Sequence, residues 1–574
     1  MSGHDEVRSD AETTVADDLL AAAEAWLAQD PDGETRDELR ALLTAARAGD
    51  TDAAASLNDR FSTRLAFGTA GLRGELGAGS NRMNRVLVGQ AAAGLAEHLL
   101  ATSSSDGAPT VVIGYDGRRK SDLFARDSAE IFAGAGLRAI LLPRMLPTPV
   151  LAFAVRHFGA DAGVMVTASH NPPNDNGYKV YLGAAEGGSQ IVSPVDAEIA
   201  ACITRVAAEE DVSTLPRSLA FETASEAVVD AYIDATATVA PADVGTDGFT
   251  WVYTAMHGVG WETLARIVER AGYPAPVVVD AQVEPDGTFP TVAFPNPEEP
   301  GAMDLAYETA RAAGAELIIA NDPDADRLAV AVPDASADGG WRSLTGNQIG
   351  LLLGWRAARR AAATGATEGA SLACSLVSSP GLAAVAEHFG LDFHATLTGF
   401  KWIARAPGLI FGFEEALGYL VNPETVRDKD GISAAVAMLG LATGARERGE
   451  TLADLLAEFD ATFGAFASDQ ISVRVDDVST IARIMSALRE TPPRAIGEVE
   501  VERVDDLLDG VDDLPPGDVL RYWLTDGSRV IVRPSGTEPK LKLYLDARGD
   551  STAEADARIA ALAAGARALL DALS

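Results

Sequence analysis

Short apolar runs and helix-like spacings alternate along most of the chain. Runs such as Val111-Val-Ile-Gly-Tyr, Ala162-Gly-Val-Met-Val and Glu316-Leu-Ile-Ile-Ala are separated by stretches with helical periodicity, among them 148–157 and 261–271. Strands that alternate with helices in this way are typical of βαβ units, and they predict mixed or mostly parallel sheets. The alternation recurs about three times, which favours three related α/β domains.

The two ends of the chain depart from this pattern. Residues 10–60 are rich in Ala, Asp and Glu and carry leucines at helical spacing, which predicts an N-terminal helical extension over residues 1–60. After Phe463 the strands alternate apolar and polar residues, as in Ile471-Ser-Val-Arg-Val, which is typical of a sheet with one solvated face. A C-terminal α+β domain is therefore expected. Breaks at Pro216, Pro333–Gly340 and Phe463–Ser468 predict domains over residues 61–218, 219–333, 334–465 and 466–574.

Composition and charge narrow the function. The 574 residues include 46 basic and 84 acidic ones, and the net charge of −38 argues against binding to nucleic acid or to an anionic membrane. Two cysteines cannot build a disulfide framework. The first residues are polar, and no apolar run approaches the ~20 residues of a membrane span. We therefore expect a cytoplasmic protein.

The first segment with candidate chemistry directly follows a strand. It runs Thr167-Ala-Ser-His-Asn-Pro-Pro-Asn-Asp-Asn-Gly-Tyr-Lys179. Open α/β sheets bind ligands at the carboxyl ends of their strands, so Ser169 is a candidate nucleophile with His170 and Lys179 near it in sequence. An ordinary turn with a capping serine is the alternative.

The second segment, Asp322-Pro-Asp-Ala-Asp-Arg327, also ends an apolar strand. Carboxylates at alternate positions repel one another unless a divalent cation neutralises them, so the segment predicts a metal site. An EF-hand is excluded, because that motif needs glycine at Arg327 and glutamate at Pro333. A solvated acidic loop is the alternative.

Two further segments suggest recognition of a phosphorylated sugar. Glu414 and Glu415 are paired carboxylates suited to vicinal hydroxyls, and Arg427 and Lys429 follow them. The run Arg533-Pro-Ser-Gly-Thr537 combines a guanidinium, two hydroxyls and a glycine, which together suit a phosphate. A P-loop is excluded because the chain contains no Gly-Lys pair.

The four segments, in this order, resemble the motifs of the α-D-phosphohexomutase superfamily. The loop Phe67-Gly-Thr-Ala-Gly-Leu-Arg-Gly74 resembles the N-terminal active-site loop of the same family, and Thr398-Gly-Phe-Lys401 resembles its sugar-orienting loop. The resemblance covers roughly residues 60–545. It implies three related α/β domains with mixed sheets and a C-terminal α+β domain around a central cleft.

The resemblance also implies a mechanism. In such enzymes a phosphoserine, here Ser169, gives its phosphoryl group to a sugar monophosphate and takes back the other phosphate of the resulting bisphosphate. Asp322, Asp324 and Asp326 are then expected to hold Mg²⁺ together with an oxygen of the phosphorylated Ser169. The implied catalytic residues are His170, Lys179, Arg73 and Lys429. The implied substrate-binding residues are Arg327, Thr398, Gly399, Lys401, Glu414, Glu415, Arg427, Arg533, Ser535, Gly536 and Thr537.

The implied reaction interconverts the 1-phosphate and 6-phosphate of glucose or mannose, with glucose 1,6-bisphosphate as intermediate and activator. The expected partner is the small-molecule sugar phosphate, bound by a monomer or homodimer. Many phosphoglucomutases carry serine where this chain has Ala416, and a branch with this feature and a longer N-terminal region prefers pentose 1-phosphates. A phosphopentomutase acting on (deoxy)ribose 1-phosphate and 5-phosphate is therefore the alternative. A phosphatase, a mutase with an aspartate nucleophile and a non-catalytic sugar-phosphate sensor fit the motifs less well.

Overall fold

The computed structural model describes residues 17–68, 71–103, 107–183, 186–475, 477, 479–512, 514–535 and 540–573. The chain divides into two compact units, one of residues 1–228 with 285–296 and one of residues 229–284 with 297–574. Within the described residues, no helix has both the length and the apolar character needed to cross a membrane.

The first unit begins with three helices where the sequence predicts a helical extension, whose residues 1–16 lie outside the described part of the chain. These helices are α1 (Asp17–Gln29), α2 (Gly33–Arg47) and α3 (Thr51–Phe61). Asp32 and Asp50 cap the second and third helices by accepting bonds from backbone N–H groups. Their apolar faces belong to the same hydrophobic core as the following sheet, with Trp26, Leu39 and Leu57 buried in it.

A mixed six-stranded sheet forms the rest of the first unit. Its strands run in the order β1-β5-β4-β2-β3-β6. Strands β2, β3, β4 and β6 are parallel to one another, whereas β5 pairs antiparallel with both β4 and β1 at one edge. The elements are β1 (Leu72–Glu75), α4 (Arg85–Thr102), β2 (Thr110–Tyr115), α5 (Ser121–Gly134), β3 (Arg138–Leu141), α6 (Thr148–His157), β4 (Ala162–Val166), β5 (Asp175–Leu182), α7 (Val195–Glu209) and β6 (Glu222–Thr223).

The second unit contains three sheets. The first has the order β11-β10-β9-β7-β8 and the second the order β13-β12-β14-β15. Helix α8 (Ala227–Ala237) leads into this unit. The other elements are β7 (Trp251–Thr254), α9 (Gly260–Ala271), β8 (Val277–Val278), α10 (Asp304–Ala313), β9 (Leu317–Asn321), β10 (Leu328–Pro333), β11 (Trp341–Ser343), α11 (Gly346–Thr364), β12 (Ser371–Ser375), α12 (Gly381–Phe389), β13 (Asp392–Thr396), α13 (Phe400–Ile403), β14 (Leu409–Glu414), β15 (Gly418–Leu420), α14 (Gly431–Glu447) and α15 (Leu452–Phe463).

The C-terminal sheet is wholly antiparallel, with the order β16-β21-β20-β19-β18-β17. Its elements are β16 (Ala465–Arg474), α16 (Ser479–Glu490), β17 (Ala495–Ile496), β18 (Val499–Asp506), β19 (Leu520–Leu524), β20 (Arg529–Pro534), β21 (Lys540–Gly549) and α17 (Thr552–Leu573). Its attachment to the preceding domain is buried, because Val377 packs with Ile531 and Tyr544, and Arg529 donates to the carbonyl of Ser378. Three α/β domains followed by an α+β domain agree with the predicted fold class.

The first three sheets share one local arrangement. In each, two parallel pairs are followed by an antiparallel hairpin: β3-β2-β4-β5, β8-β7-β9-β10 and β13-β12-β14-β15. The candidate segments of the sequence are the turns of these hairpins. Each turn contains a non-glycine residue in the left-handed region, namely Ser169 (φ +50°), Ala325 (φ +56°) and Leu417 (φ +62°). Such a conformation costs about 1–3 kcal/mol and is common at functional sites.

Candidate active site

The turn between β4 and β5 holds Ser169. The five residues of β4 are fully buried, and the chain turns sharply after Thr167, whose hydroxyl accepts a 2.8 Å bond from the Ser169 N–H. The residue is 2% exposed. Its Oγ lies 3.5 Å from Nδ1 of His170, so the hydroxyl has an imidazole beside it.

Arg118, which lies outside every motif found in the sequence, holds this turn in place. Its guanidinium donates to the carbonyl oxygens of Ser169 (2.7 Å), Asn171 (2.5 Å), Pro172 (2.9 Å) and Asp175 (3.1 Å). The side chain is nearly fully buried. Four main-chain acceptors around one planar cation leave the turn little freedom.

The buried counter-charge of Arg118 is Asp116, at the end of β2. Its Oδ2 lies 3.7 Å from Nε of the arginine, and its Oδ1 accepts bonds from the Arg118 N–H and the Ser121 hydroxyl. Burial raises the pKa of Asp116, although Arg118 and these bonds oppose the rise. The available signal was an Asp-Gly-Arg run at the carboxyl end of β2, the strand that pairs with β4.

The segment 285–296 packs against the Arg118 guanidinium and the His170 ring. The ring of Phe289 lies 4.9 Å from the Arg118 guanidinium carbon, and Phe294 lies 6.5 Å from the His170 ring. Gly287 approaches the backbone of residues 117–119 so closely that a Cβ there would lie 2.9 Å from the nitrogen of Arg119.

Two more predicted residues lie on the strands beside the Ser169 turn. Arg73 on β1 pairs across the sheet with Gly177 and donates a 3.1 Å bond to Oδ1 of Asn171. Lys179 on β5 is buried and pairs with Met165. Within the first unit, the structure therefore brings His170 and Lys179 to one hairpin and Arg73 to the strand that pairs with it. Thr69 and Ala70 of the predicted N-terminal loop lie outside the described residues.

The turn between β9 and β10 carries the three aspartates. Asp322, Asp324 and Asp326 are fully buried, and each has an oxygen within 4.8 Å of the others. The turn is closed by the Ala325 N–H, which donates to the Asp322 carbonyl at 2.8 Å. Burial, and then the two neighbouring carboxylates, raise the pKa of Asp322 well above its usual range.

This triad fits a divalent metal. Three carboxylates are hard oxygen donors of the kind that Mg²⁺ and Ca²⁺ prefer. Their mutual repulsion in a buried site is the energetic problem that a bound cation relieves. The structure thus supports a metal-binding group where the sequence predicts one.

Arg327 links the acidic turn to the turn between β14 and β15. Its Nη1 donates to the carbonyl of Ala416, and its Nε lies 3.8 Å from Oδ1 of Asp326. The backbone continues this contact, because the Leu328 N–H donates to the Leu417 carbonyl at 3.1 Å. Burial opposes the charge of Arg327, but the surrounding carboxylates outweigh it and raise its pKa.

The two glutamates of the third turn differ in their surroundings. Oε2 of Glu415 accepts 3.0 Å bonds from the hydroxyls of Ser375 and Ser378, so this carboxylate is anchored to its own domain. Glu414 ends β14, and burial raises its pKa while Lys429 and Arg327 oppose the rise. Nothing in the sequence distinguishes these two glutamates.

Lys429, in the third domain, contacts the turn that carries the three aspartates. Its Nζ lies 3.4 Å from Oδ2 of Asp326 and 5.5 Å from the centre of the Phe400 ring. Burial disfavours its charge, but the carboxylates of Asp326 and Asp428 raise its pKa overall.

The other predicted residues of the third domain lie on nearby loops. Arg427 donates to the carbonyl of Ala404 at 3.2 Å. Thr398 and Gly399 follow β13, and Lys401 lies in the short helix α13 that begins at Phe400. Gly399 has φ +109°, a conformation that disfavours any other residue.

The fourth turn connects β20 to β21. Arg533 is near the end of β20, and the Ser535 N–H donates to the Lys540 carbonyl at 2.8 Å. Gly536 and Thr537 of the predicted phosphate cradle lie outside the described residues.

Comparisons with known proteins identify the family to which the chain belongs. Models described as phosphoglucomutase/phosphomannomutase alpha/beta/alpha domains I, II and III and C-terminal domain match residues 64–210, 230–337, 345–462 and 471–564. The Haemophilus influenzae protein named "Probable phosphomannomutase" is 56% identical over 488 residues, which cover 85% of this chain and 98% of that protein. The human phosphopentomutase is 33% identical over 576 residues, which cover 91% of this chain and 90% of that protein.

A solved structure shows the same fold. The phosphoglucomutase/phosphomannomutase family protein of Burkholderia thailandensis superposes with a TM-score of 0.68 at 21% identity, covering 89% of this chain and 98% of that one. With the four-domain match and the similarity to named mutases, the molecule is a sugar phosphate mutase, an enzyme of the isomerase class. The chain belongs to the phosphoglucomutase/phosphomannomutase family.

The hydrogen bonds from Arg118 to the Ser169 turn can be tested by mutation. Arg118→Lys keeps the positive charge, but its three N–H donors on one nitrogen cannot reproduce the four bonds that the guanidinium makes, so we expect the mutase kcat to fall about tenfold or more. The neighbouring exposed Arg119 provides the control, and Arg119→Lys should leave kcat unchanged. Steady-state rates are compared at equal folded fraction, which circular dichroism determines. A normal kcat for Arg118→Lys would show that the clamp does not position Ser169.

Proposed function

We propose that the enzyme interconverts the 1-phosphate and 6-phosphate of an aldohexose, glucose or mannose, through a phosphorylated Ser169 and a sugar 1,6-bisphosphate. The observation that carries the proposal is the buried, conformationally strained Ser169 turn clamped by Arg118. The name of the Haemophilus influenzae relative supports a hexose substrate.

In the proposed reaction, the phosphoryl group moves from Oγ of Ser169 to a free hydroxyl oxygen of the sugar phosphate. One O–P bond breaks at the serine and one forms at the sugar, while the proton of that hydroxyl passes through a base to the departing Oγ, which becomes the free serine hydroxyl. His170 is assigned this role because its ring adjoins Oγ, and Lys179 and Arg73 supply positive charge. The reverse step, with the bisphosphate turned end for end, returns the other phosphoryl group to Ser169.

Asp322, Asp324 and Asp326 are proposed to hold Mg²⁺. Bound there, the ion would neutralise charge on the transferred phosphoryl group, which is a main requirement of phosphoryl transfer. The buried oxygen donors support this assignment. Arg327 and Lys429 add fixed positive charge beside the triad.

The remaining residues are proposed to bind substrate. Arg533, Ser535, Gly536 and Thr537 would hold the phosphate that does not react, and Glu414 would accept bonds from sugar hydroxyls. Glu415 shares this role through its second oxygen, because Oε2 is engaged by two serines. The other residues assigned to the sugar and its phosphate are Thr398, Gly399, Lys401 and Arg427.

A pentose phosphate is the second candidate substrate. It is favoured by the human phosphopentomutase, which matches 91% of this chain, and by Ala416, which places no hydroxyl at the third turn. In that case the same groups would interconvert (deoxy)ribose 1-phosphate and 5-phosphate.

The phosphoserine is tested with Ser169→Ala. Wild-type protein should contain a species one phosphoryl group heavier by intact-mass spectrometry, and the variant should lack both this species and nearly all activity. Ser213→Ala, at an exposed serine of the same unit, is the control. Near-normal turnover by Ser169→Ala would refute the phosphoserine mechanism.

The metal is tested with Asp324→Asn, which lowers the charge of the triad with little change of shape. Mg²⁺ should raise the melting temperature of the wild-type protein by binding only the folded state, and this rise should be smaller in the variant. Activity should fall in parallel and return only at higher Mg²⁺. Asp280→Asn, at an exposed aspartate, should behave as wild type. Full activity after removal of divalent ions by a chelator would contradict the assignment.

Substrate choice is tested by comparing glucose, mannose, ribose and deoxyribose 1-phosphates. We expect glucose 1-phosphate to be converted, and the others at a measurable fraction of its rate, because alanine at 416 leaves no polar group unpaired. Ala416→Ser should raise the preference for glucose about tenfold, the equivalent of ~1.4 kcal/mol. The bond from Arg327 should survive, because it is made to the main chain. Conversion of pentose phosphates alone would establish the second candidate.

A further inference from the structure

Four arginines gather on the third domain, on elements that carry none of the four turns described above. Arg356, Arg359 and Arg360 lie on α11, and Arg448 caps the end of α14. Nη2 of Arg356 and Nη1 of Arg360 both donate to the carbonyl of Val239, at 2.6 and 3.2 Å. We call these four residues the arginine cluster.

The cluster is short of negative charge. In the part of the chain that the structure describes, no carboxylate forms an ion pair with Arg356, Arg359 or Arg360, whereas Arg448 pairs with Glu450 at 2.7 Å. This is unusual in a chain with 84 acidic and 46 basic residues. Burial, and then the nearby charge of Arg360, lower the pKa of Arg356 to about 10, so the cations are poorly neutralised.

Two adjoining cavities open at the cluster. One, of about 180 Å³, is lined by Arg356, Arg359 and Arg448 together with Trp355. The other, of about 330 Å³, is lined by Arg356 and Arg360. Arg356 and Gly440 border both cavities, and a Cβ on Gly444, which also lines the smaller one, would meet no atom within 4 Å.

Stabilisation of the fold explains only part of this arrangement. Val239 lies just beyond the C-terminal end of α8, where a positive charge is favourable. One guanidinium is enough for one carbonyl, and the hydrogen bonds to this carbonyl come from Arg356 and Arg360 and not from Arg359 or Arg448. The cavities and the uncompensated charge therefore call for a ligand that is itself negative.

We propose that the arginine cluster is an anion site that binds the phosphate group of a small phosphorylated molecule and shares no residue with the groups assigned above to the mutase reaction. A guanidinium group can donate two parallel hydrogen bonds to the oxygens of one phosphate. Arg356 and Arg360 both line the larger cavity and so offer two guanidinium groups to one ligand. Trp355 and Leu352 line the smaller cavity, and the Arg359 guanidinium lies 5.2 Å from the centre of the Trp355 ring.

The test is calorimetric titration of the full chain with inorganic pyrophosphate in the absence of divalent ions. Wild-type protein should show two classes of site, one at the proposed phosphate cradle and one at the arginine cluster. Arg359→Gln/Arg360→Gln, at two exposed side chains, should weaken one class about tenfold or more while leaving the mutase kcat unchanged. Arg533→Gln should weaken only the other class. Arg126→Gln/Arg138→Gln, at two exposed arginines of the first unit, removes the same charge and is the control.

Two further variants separate the cavity from the charge. Gly444→Leu places a side chain in the open space of the smaller cavity, keeps every arginine and should weaken pyrophosphate binding. Asp243→Asn removes the exposed carboxylate at the rim of the larger cavity and should tighten binding. The proposal is overturned if Arg359→Gln/Arg360→Gln binds pyrophosphate as wild type does, or if Arg533→Gln abolishes all binding. Because binding is measured without turnover, the result does not depend on which sugar the enzyme converts.

Discussion

The site depends on a backbone constraint that is repeated in three domains: a buried strand turns back on itself through one residue held at positive φ. Ser169, Ala325 and Leu417 occupy this position in successive sheets. A residue with a Cβ adopts this conformation only when its surroundings enforce it, and the antiparallel partner strand supplies part of that enforcement. The turns are therefore rigid parts of the sheets and not flexible loops, which suits groups that must be held precisely for phosphoryl transfer.

Buried charges also help to hold these turns, and the first two domains use charges of opposite sign. Around Ser169 a single arginine satisfies four carbonyls and is itself balanced by Asp116. Around Ala325 the charge is negative, and Arg327 and Lys429 only partly offset it. The first arrangement is self-sufficient, whereas the second is most stable with a cation bound.

Much of this organisation could be predicted from the sequence, because strands, helices and short motifs leave local signals. The turns at Ser169 and Asp322–Arg327 were found from the strand that precedes each of them. Arg118 was missed because its function lies in contacts about fifty residues away, and a main-chain carbonyl leaves no trace in side-chain identity. For the same reason nothing in the sequence separated Glu415, held by two serines of its own domain, from Glu414.

The segment 285–296 has a consequence for how the protein is made. Phe289 covers the guanidinium of Arg118, yet it leaves the ribosome 171 residues later. At about 5–20 residues per second, that delay is roughly 10–30 s. During this time the first unit exists without its last piece, and the arginine that organises the serine turn lacks its aromatic cover. The first unit is thus completed only when about half of the chain has been translated, so assembly of this half of the enzyme cannot be strictly sequential.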